Sequence, residues 1–220
     1  EEAVEWAGLG CVYPCLPTRA EHYGAEGVAA FNLAGLLHMT LHNGLDINGK
    51  QTGLQTGDPR EFKSFEELYD AFFKQHKFLC HRILWLGGVA RDMCSDHVRT
   101  PLLSILGLEA SMELGQDLTK AHPDYSMYGI SGRAIIDVAD SFVAIKELVF
   151  EKKLFTMEEL MNALDSNFAG ERGEEIRQLC LRQPKYGNDN PEADAMVKRV
   201  SDQSAQIIRS YDNAPFRNMM

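Results

Sequence analysis

Two cysteines with a small spacing are the first candidates for chemistry in this sequence. Cys11 and Cys15 are separated by three residues in the uncharged stretch GCVYPCLP, residues 10–17. The spacing resembles the start of a radical-SAM iron–sulfur motif, but Thr18 stands where a third cysteine is required. The chain has five cysteines in all. An odd, thinly spread set is not typical of a disulfide scaffold and favours a reducing compartment.

The environment of Cys11 decides what its sulfur could do. No Lys, Arg or His lies within six positions of it, so nothing local would lower the pKa of the thiol and favour a thiolate nucleophile. A neutral thiol on a tight apolar loop suits hydrogen-atom transfer. A buried structural cysteine is the alternative that composition alone favours.

The segment Gly44–Lys50, GLDINGK, has the spacing of a phosphate-binding loop. Gln51 follows it, where Mg²⁺ binding calls for Ser or Thr, and the preceding residues have helical rather than strand character. The sequence therefore predicts a turn after a helix instead of a nucleotide site.

Two histidines, His38 and His42, are spaced to share one face of a helix. A zinc protease would have Glu after the first histidine, but Met39 is there, and no third ligand is evident. We therefore predict structural histidines and no metal site.

Charge and hydropathy exclude several classes of protein. The formal net charge of −10 argues against nucleic-acid and acidic-membrane surfaces, which need clustered Lys and Arg. No apolar stretch approaches the roughly 20 residues of a membrane span, and no signal segment opens the chain. We expect a cytoplasmic protein that binds neither nucleic acid nor membrane.

Helix-capping signals occur through much of the rest of the chain. Capping boxes begin at Ser64 and Thr156, and Asn190-Pro191 is a helix start. Hydrophobic spacing predicts helices over 24–43, over 65–86 up to Gly87-Gly88, and over 134–150. Strands are expected only around 7–12 and 102–106. The pattern indicates a helix-rich α/β fold, part of a larger domain.

Gly10-Cys11-Val12-x-Pro14 resembles the cysteine loop of the glycyl radical enzymes, the pyruvate formate-lyase superfamily. Further stretches follow in that family's order over nearly the whole chain, namely Phe31–Leu33, Asn43-Gly44, Thr56–Pro59, Ser64–Glu67, Asp137–Ser141, Lys146–Phe150 and Pro184–Asp189.

The resemblance implies the fold and the radical chemistry. Residues 1–220 would be an internal segment of a ten-stranded α/β barrel, with the thiyl-radical loop at about 8–18 and Cys11 as the radical-carrying residue. No cofactor would bind directly. A glycine on a C-terminal segment, absent from this sequence, would hold a radical that a radical-SAM activating enzyme installs. Alone, residues 1–220 would then be inactive.

One departure from the family bears on the reaction. Many dehydratase, lyase and decarboxylase members read Gly-Cys-Val-Glu, whereas Tyr13 stands here at the position of that glutamate base. A tyrosine with an ordinary pKa near 10 accepts protons poorly at neutral pH. Addition of a hydrocarbon radical to fumarate needs no such base. The stretches Tyr13–Pro17, His122–Ser131 and Gly132-Arg133-Ala134 most resemble the catalytic subunit of the alkylsuccinate synthase branch, which is related to benzylsuccinate synthase.

Fumarate and an n-alkane are therefore the expected substrates. Arg19 is the candidate clamp for the fumarate carboxylates, and Tyr13, Met127, Tyr128 and Ile130 are the candidate substrate-binding neighbours. Small accessory subunits, a homodimer of the full subunit and an anaerobic bacterial host are expected with them. The alternatives are a glycyl radical dehydratase, decarboxylase or C–N/C–S lyase, addition of an aromatic hydrocarbon, or a non-catalytic helical module that binds a partner.

Overall fold

A computed structural model describes residues 6–9, 13–16, 20–21, 29–97, 106, 109–116, 125–126 and 130–211. The contacts divide the chain into two compact units. The first comprises 1–31, 81–131 and 211–220, and the second comprises 32–80 and 132–210.

Short strands pair two by two. β1 (Ala7–Leu9) pairs antiparallel with β2 (Tyr13–Cys15), and β3 (Ala20–Glu21) pairs parallel with β5 (Tyr125–Ser126). β4 (Ala29–Asn32) pairs with β6 (Ile130–Arg133). The strands are short, as the sequence predicted, but only β1 falls within an expected range; β2 to β6 were missed because segments of two to four residues are too short to show an alternating pattern.

Helices make up most of the described chain. They are α1 (Leu33–Leu41), α2 (Phe65–His97), α3 (Glu109–Leu114), α4 (Ile135–Ile145), α5 (Met157–Asp165), α6 (Gly170–Leu181) and α7 (Pro191–Arg209). A 3₁₀ turn covers Pro59–Glu61, and a π-helical turn, Lys146–Glu151, continues α4. In the second unit α4 packs against α1, α6 and α7, and α5 packs against α6.

The core of the second unit is aromatic. Phe72 of α2 and Phe142 of α4 are fully buried, with ring centroids 5.1 Å apart and planes at 88°. Tyr69 lies 5.5 Å from the same Phe142 ring. Edge-to-face pairs of this kind add about 0.5–1.5 kcal/mol to the stabilisation from burial. They fix the first half of α2 against α4.

The predicted helix starts are confirmed with one change. The hydroxyl of Thr156 accepts from the Glu159 N–H at 3.1 Å, and the Glu159 carboxylate accepts from the Thr156 N–H at 2.8 Å. Asn190 caps α7 by accepting from two first-turn N–H groups. At Ser64 one half of the box forms, because the Ser64 hydroxyl accepts from the Glu67 N–H at 3.4 Å. The Glu67 carboxylate accepts instead from the N–H of Lys63, one residue earlier than predicted, at 3.0 Å.

Two helix predictions have wrong bounds. The helix expected over 24–43 begins only at Leu33, because Ala29–Asn32 is strand β4 and Asn32 caps the helix with its side chain. The helix expected to end at Gly87-Gly88 continues to His97. Both glycines are buried, and such packing can outweigh a helix propensity about 1 kcal/mol per glycine worse than that of alanine. Of the predicted strand around 102–106, only residue 106 is described.

Candidate active site

The hairpin β1–β2 flanks the cysteine segment. Its register pairs Leu9 with Tyr13, Gly8 with Pro14 and Ala7 with Cys15. Pro14 lacks an N–H, which a two-stranded pair tolerates because each strand has a free edge. Cys11 itself lies outside the described residues, as do the neighbours that link Leu9 to Tyr13. The backbones of Leu9 and Tyr13 thus lie side by side at the two ends of the cysteine segment.

The other predicted site residues fall around two more strand pairs. Arg19 directly precedes β3, and Met127 directly follows β5. The register of those strands pairs Ala20 with Tyr125 and Glu21 with Ser126. Arg19, Met127 and Tyr128 are themselves outside the described residues.

Ile130 opens strand β6, which pairs with β4. Strands β3 and β4 follow the cysteine segment along the chain, and their partners β5 and β6 flank Met127 and Tyr128. The structure therefore pairs β3, which follows the cysteine segment, with β5, which precedes Met127 and lies about a hundred residues later in the sequence.

The junction from β6 to α4 is backbone-strained. Ala134 has φ 65° and ψ 30°, the left-handed region, and its side chain offers no cap to α4. This conformation is about 1–2 kcal/mol unfavourable for an L-residue with a Cβ. Arg133, the last residue of β6, is exposed beside it. Sequence reasoning missed this turn, because alanine is not a residue that marks positive φ.

The paired histidines are structural. The His38 and His42 rings stack with centroids 4.1 Å apart. Nδ1 of His42 lies 2.8 Å from the His38 carbonyl oxygen, and Nε2 lies 2.9 Å from Oδ1 of Asp165. Both neighbours are hydrogen-bond acceptors. Both ring nitrogens of His42 are therefore engaged by protein acceptors.

Burial also changes the pKa of the other histidine of this pair, His38. It lowers the pKa of His38 below its ordinary value, and the charge of the neighbouring His42 acts in the same direction. Over the described ranges no group of three or more metal-ligating side chains occurs.

The segment that resembled a phosphate loop is a tight turn. Leu45 and Gln51 form an antiparallel bridge, and the Asp46 carboxylate accepts from the N–H groups of Asn48 and Lys50 at 2.9 and 3.0 Å. These bonds, led by that from Lys50, hold the pKa of Asp46 below its usual range. These backbone N–H groups donate to the Asp46 carboxylate, in place of the phosphate that a phosphate-binding loop would hold.

A buried glutamine organises the loop that follows. Gln75 of α2 is fully buried, and its Oε1 accepts from the Leu54 N–H at 2.8 Å while its Nε2 donates to the Leu54 carbonyl at 2.5 Å. Nearby, the Gly57 N–H donates to Oδ1 of Asn43 at 3.0 Å. The family-like stretches Asn43-Gly44 and Thr56–Pro59 therefore belong to one hydrogen-bonded unit.

Three further family-like stretches meet near the start of α7. The Tyr186 N–H donates to Oδ1 of Asp140 at 2.9 Å, joining the loop before α7 to α4. Lys146 forms ion pairs with Glu192 at 2.9 Å and Glu151 at 3.4 Å. The stretches are thus parts of the scaffold in the second unit.

An open groove of about 680 Å³ lies between that loop and α7. Its charged lining includes Asp189, Asp194, Lys198 and Asp202, and Lys198 is paired with Asp202. None of the predicted site residues lines it. No helix in the described portion of the chain is long and apolar enough to cross a membrane.

Comparison with known proteins identifies the family. The family model "Pyruvate formate lyase-like" matches residues 1–219. The chain is 37% identical to trans-4-hydroxy-L-proline dehydratase of Clostridioides difficile over 206 residues, covering 90% of this chain and 25% of the relative. It is 32% identical to isethionate sulfite-lyase of Bilophila wadsworthia, with coverages of 96% and 25%.

A solved structure agrees with these relatives. The B12-independent glycerol dehydratase of Clostridium butyricum superposes with a TM-score of 0.85 at 28% identity, over 100% of this chain and 27% of that one. The helix-rich α/β fold expected of this enzyme type is therefore confirmed. The chain spans about a quarter of the length of the relatives it matches. It belongs to the pyruvate formate-lyase-like family of glycyl radical enzymes.

Proposed function

We propose that Cys11 carries the thiyl radical of a glycyl radical enzyme of which residues 1–220 are an internal part. The observation that carries this proposal is the family match over residues 1–219 together with the register that sets Leu9 beside Tyr13. That register brackets Gly10-Cys11-Val12, the stretch that resembles the family's cysteine loop.

The strand pairs support a shared substrate site. β3 begins just after Arg19, its partner β5 ends just before Met127, and Ile130 opens β6. We propose that Arg19, Met127, Tyr128 and Ile130 line the space next to Cys11, with Tyr13 on the same hairpin. An arginine there would bind a carboxylate or sulfonate group through paired N–H donors.

Radical elimination is the reaction class that the relatives favour. Their names describe dehydration and loss of sulfite. In such a step the Cys11 sulfur takes a hydrogen atom from a substrate carbon and becomes a thiol. The substrate radical loses a proton from the hydroxyl or amine on its radical-bearing carbon to a nearby base, and it expels the leaving group from the neighbouring carbon with that bond's electron pair. The product radical then takes the hydrogen atom back from the thiol.

Tyr13 favours a second candidate, addition of a hydrocarbon to fumarate. Expulsion of water needs a proton donor and a base close to the radical, and a phenol with an ordinary pKa near 10 is a poor base. In the addition, the hydrocarbon radical forms a carbon–carbon bond to fumarate and the adduct radical takes hydrogen from Cys11. No proton is transferred, so Tyr13 suits this reaction better than dehydration.

Product analysis separates the two candidates. The native polypeptide, activated without oxygen by its radical-SAM enzyme, would be given a vicinal diol, 4-hydroxyproline or isethionate, and separately fumarate with an n-alkane or toluene. An aldehyde, a dehydrated imino acid or sulfite supports elimination, whereas an alkyl- or benzylsuccinate supports addition.

Variants at residue 13 test the role of the tyrosine. Tyr13→Phe should leave addition intact, because addition needs no base, and Tyr13→Glu should not improve it. If Tyr13→Phe abolishes turnover, the hydroxyl takes part in proton transfer and addition loses its support. Accessory subunits and a homodimer are part of the addition proposal and are checked by the mass of the purified complex.

A further inference from the structure

The turn that resembled a phosphate loop contains a dipeptide with chemistry of its own. The chain has two Asn-Gly dipeptides, Asn43-Gly44 and Asn48-Gly49, and they open and close this turn. Glycine has no Cβ to shield its backbone nitrogen and takes up φ values that other residues avoid. The side-chain carbonyl carbon of a preceding asparagine therefore reaches that nitrogen readily. The two dipeptides are chemically alike, so their surroundings decide which one reacts.

Asn43 is held by its surroundings. Its Oδ1 accepts from the Gly57 N–H at 3.0 Å. The Gly44 N–H donates to the Met39 carbonyl oxygen at 2.8 Å. Gly44 is buried, and a Cβ at that position would overlap the Leu54 carbonyl oxygen. The side chain and the backbone nitrogen that would have to meet are thus bound to different partners in a packed position.

Asn48 is much less restrained. Asn48 and Gly49 are both exposed, and nothing lies within 4 Å of a Cβ built at Gly49. Of the hydrogen bonds that the described residues form, none involves the side-chain amide of Asn48. The Gly49 N–H donates to the Asp46 carbonyl oxygen at 2.9 Å, but this bond closes a turn whose tip, residues 47–50, is exposed. Exposed turns of this kind open locally at a low cost in free energy.

We propose that Asn48 is a site of spontaneous deamidation. The Gly49 nitrogen attacks Cγ of Asn48 and forms a C–N bond, and the side-chain nitrogen leaves as ammonia with the proton that the Gly49 nitrogen gives up. Water then attacks either carbonyl of the cyclic imide and breaks its C–N bond, which gives aspartate or isoaspartate at position 48. The step uses only water, and it is independent of the radical chemistry proposed for Cys11.

Both products alter the turn in which they form. Aspartate adds a second negative charge near the Asp46 carboxylate, which accepts from the N–H groups of Asn48 and Lys50 at 2.9 and 3.0 Å. Isoaspartate also inserts a methylene into the backbone between Asp46 and Lys50, where the Asp46 N–H donates to the Lys50 carbonyl oxygen at 2.9 Å. The modification therefore weakens a loop that leads from α1 to the family-like stretch Thr56–Pro59.

Peptide mass spectrometry of the full native polypeptide, kept non-activated in mildly alkaline buffer, tests the proposal. Fragment spectra assign the mass increase of deamidation to Asn43 or Asn48 over time, and labelling with an isoaspartate methyltransferase detects isoaspartate. In the native state Asn48 should react about tenfold faster than Asn43, because one buried hydrogen bond to be broken first accounts for a factor of this size. In denaturant the two rates should agree within about threefold, since both asparagines then precede a glycine in an unfolded chain.

The comparison of the two asparagines also gives the outcome that overturns the proposal. A native rate at Asn48 no higher than that at Asn43 would do so, whether both react or the rest of the polypeptide protects both. Asn48→Ser should abolish the mass increase at position 48 without changing the melting temperature. The rate at Asn48 should be unchanged in Cys11→Ala, which keeps this result separate from the proposed enzymatic reaction.

Discussion

The side-chain amide of Gln75 pairs with both backbone polar atoms of Leu54, as a neighbouring strand would. The two hydrogen bonds measure 2.8 and 2.5 Å and join residues 21 positions apart. Through them, a residue buried inside α2 fixes the loop between Gly44 and Pro59. This loop carries two of the family-like stretches, so α2 determines their conformation.

Replacing Gln75 should destabilise the protein more than a surface glutamine does. Gln75→Leu leaves the N–H and C=O of Leu54 without partners, and we expect a loss of about 2–4 kcal/mol in the free energy of unfolding. Gln178→Leu is the matched control, because that amide donates to Glu174 at the surface, and it should change stability by less than about 0.5 kcal/mol. Equal effects in urea denaturation would contradict the role of Gln75.

Two glycines of the tight turn should respond differently to alanine. Gly44 and Gly49 have φ of 92° and 75°, so alanine introduces backbone strain at both. A Cβ at Gly44 would also overlap the Leu54 carbonyl oxygen, whereas nothing lies within 4 Å of one at Gly49. Gly44→Ala should therefore lower stability by about 1–3 kcal/mol more than Gly49→Ala. Thermal denaturation compares them, and a larger effect at Gly49 would refute the packing argument.

Stability on the acid side should depend on Glu66. Its carboxylate accepts two bonds from Arg199, at 3.0 and 2.5 Å, and these bonds lower the pKa of Glu66 in the folded state. A lowered folded-state pKa gives stabilisation that is present above the ordinary value of 4.5 and is lost as pH falls through the folded value.

The effect should be small because Glu66 is 61% exposed, and we expect less than about 1 kcal/mol. Glu66→Gln should remove this part of the pH dependence, while Glu171→Gln, an exposed change on α6, should leave it. Denaturation midpoints between pH 3 and 6 measure the difference (a window set around ordinary carboxyl pKa values of roughly 4). An unchanged acid slope in Glu66→Gln would count against the ion pair.

Two described thiols should alkylate at different rates. Burial raises the pKa of Cys80 to about 11, and its side chain is inaccessible. Burial also raises the pKa of Cys180, but Lys185 opposes the shift and the residue is half-buried. With iodoacetamide near pH 8, Cys180 should be modified first, because the thiolate is the reactive form. Peptide mass spectrometry follows both sites, with Cys180→Ser as the assignment control, and faster labelling of Cys80 would contradict the burial.

Local signals predicted well where the cause is local. The Thr156 capping box and the Asn190-Pro191 start depend on residues within one turn, and both are observed. The helix expected over 24–43 was wrong because the pairing of β4 with β6 is set by a segment about a hundred residues away. The positive φ of Ala134 likewise reflects that pairing rather than any preference of alanine.

The same difference between local and long-range causes applies to the candidate site. The resemblance of Gly10-Cys11-Val12 to the family's cysteine loop could be read from the sequence, but the reaction could not, because Tyr13 and the relatives favour different outcomes. The strand pairs that bring β5 beside β3 could not be read from the two-residue strands themselves. Periodicity is visible only in longer segments, so only the three-dimensional structure shows that β3 pairs with β5.

We propose that Cys11 transfers hydrogen atoms between the substrate and the stored glycyl radical. The most direct measurement is electron paramagnetic resonance and product analysis on the activated native polypeptide and its Cys11→Ala variant. We predict that both give the glycyl radical signal and that only the unmodified enzyme forms product. Product formation by activated Cys11→Ala would contradict the account.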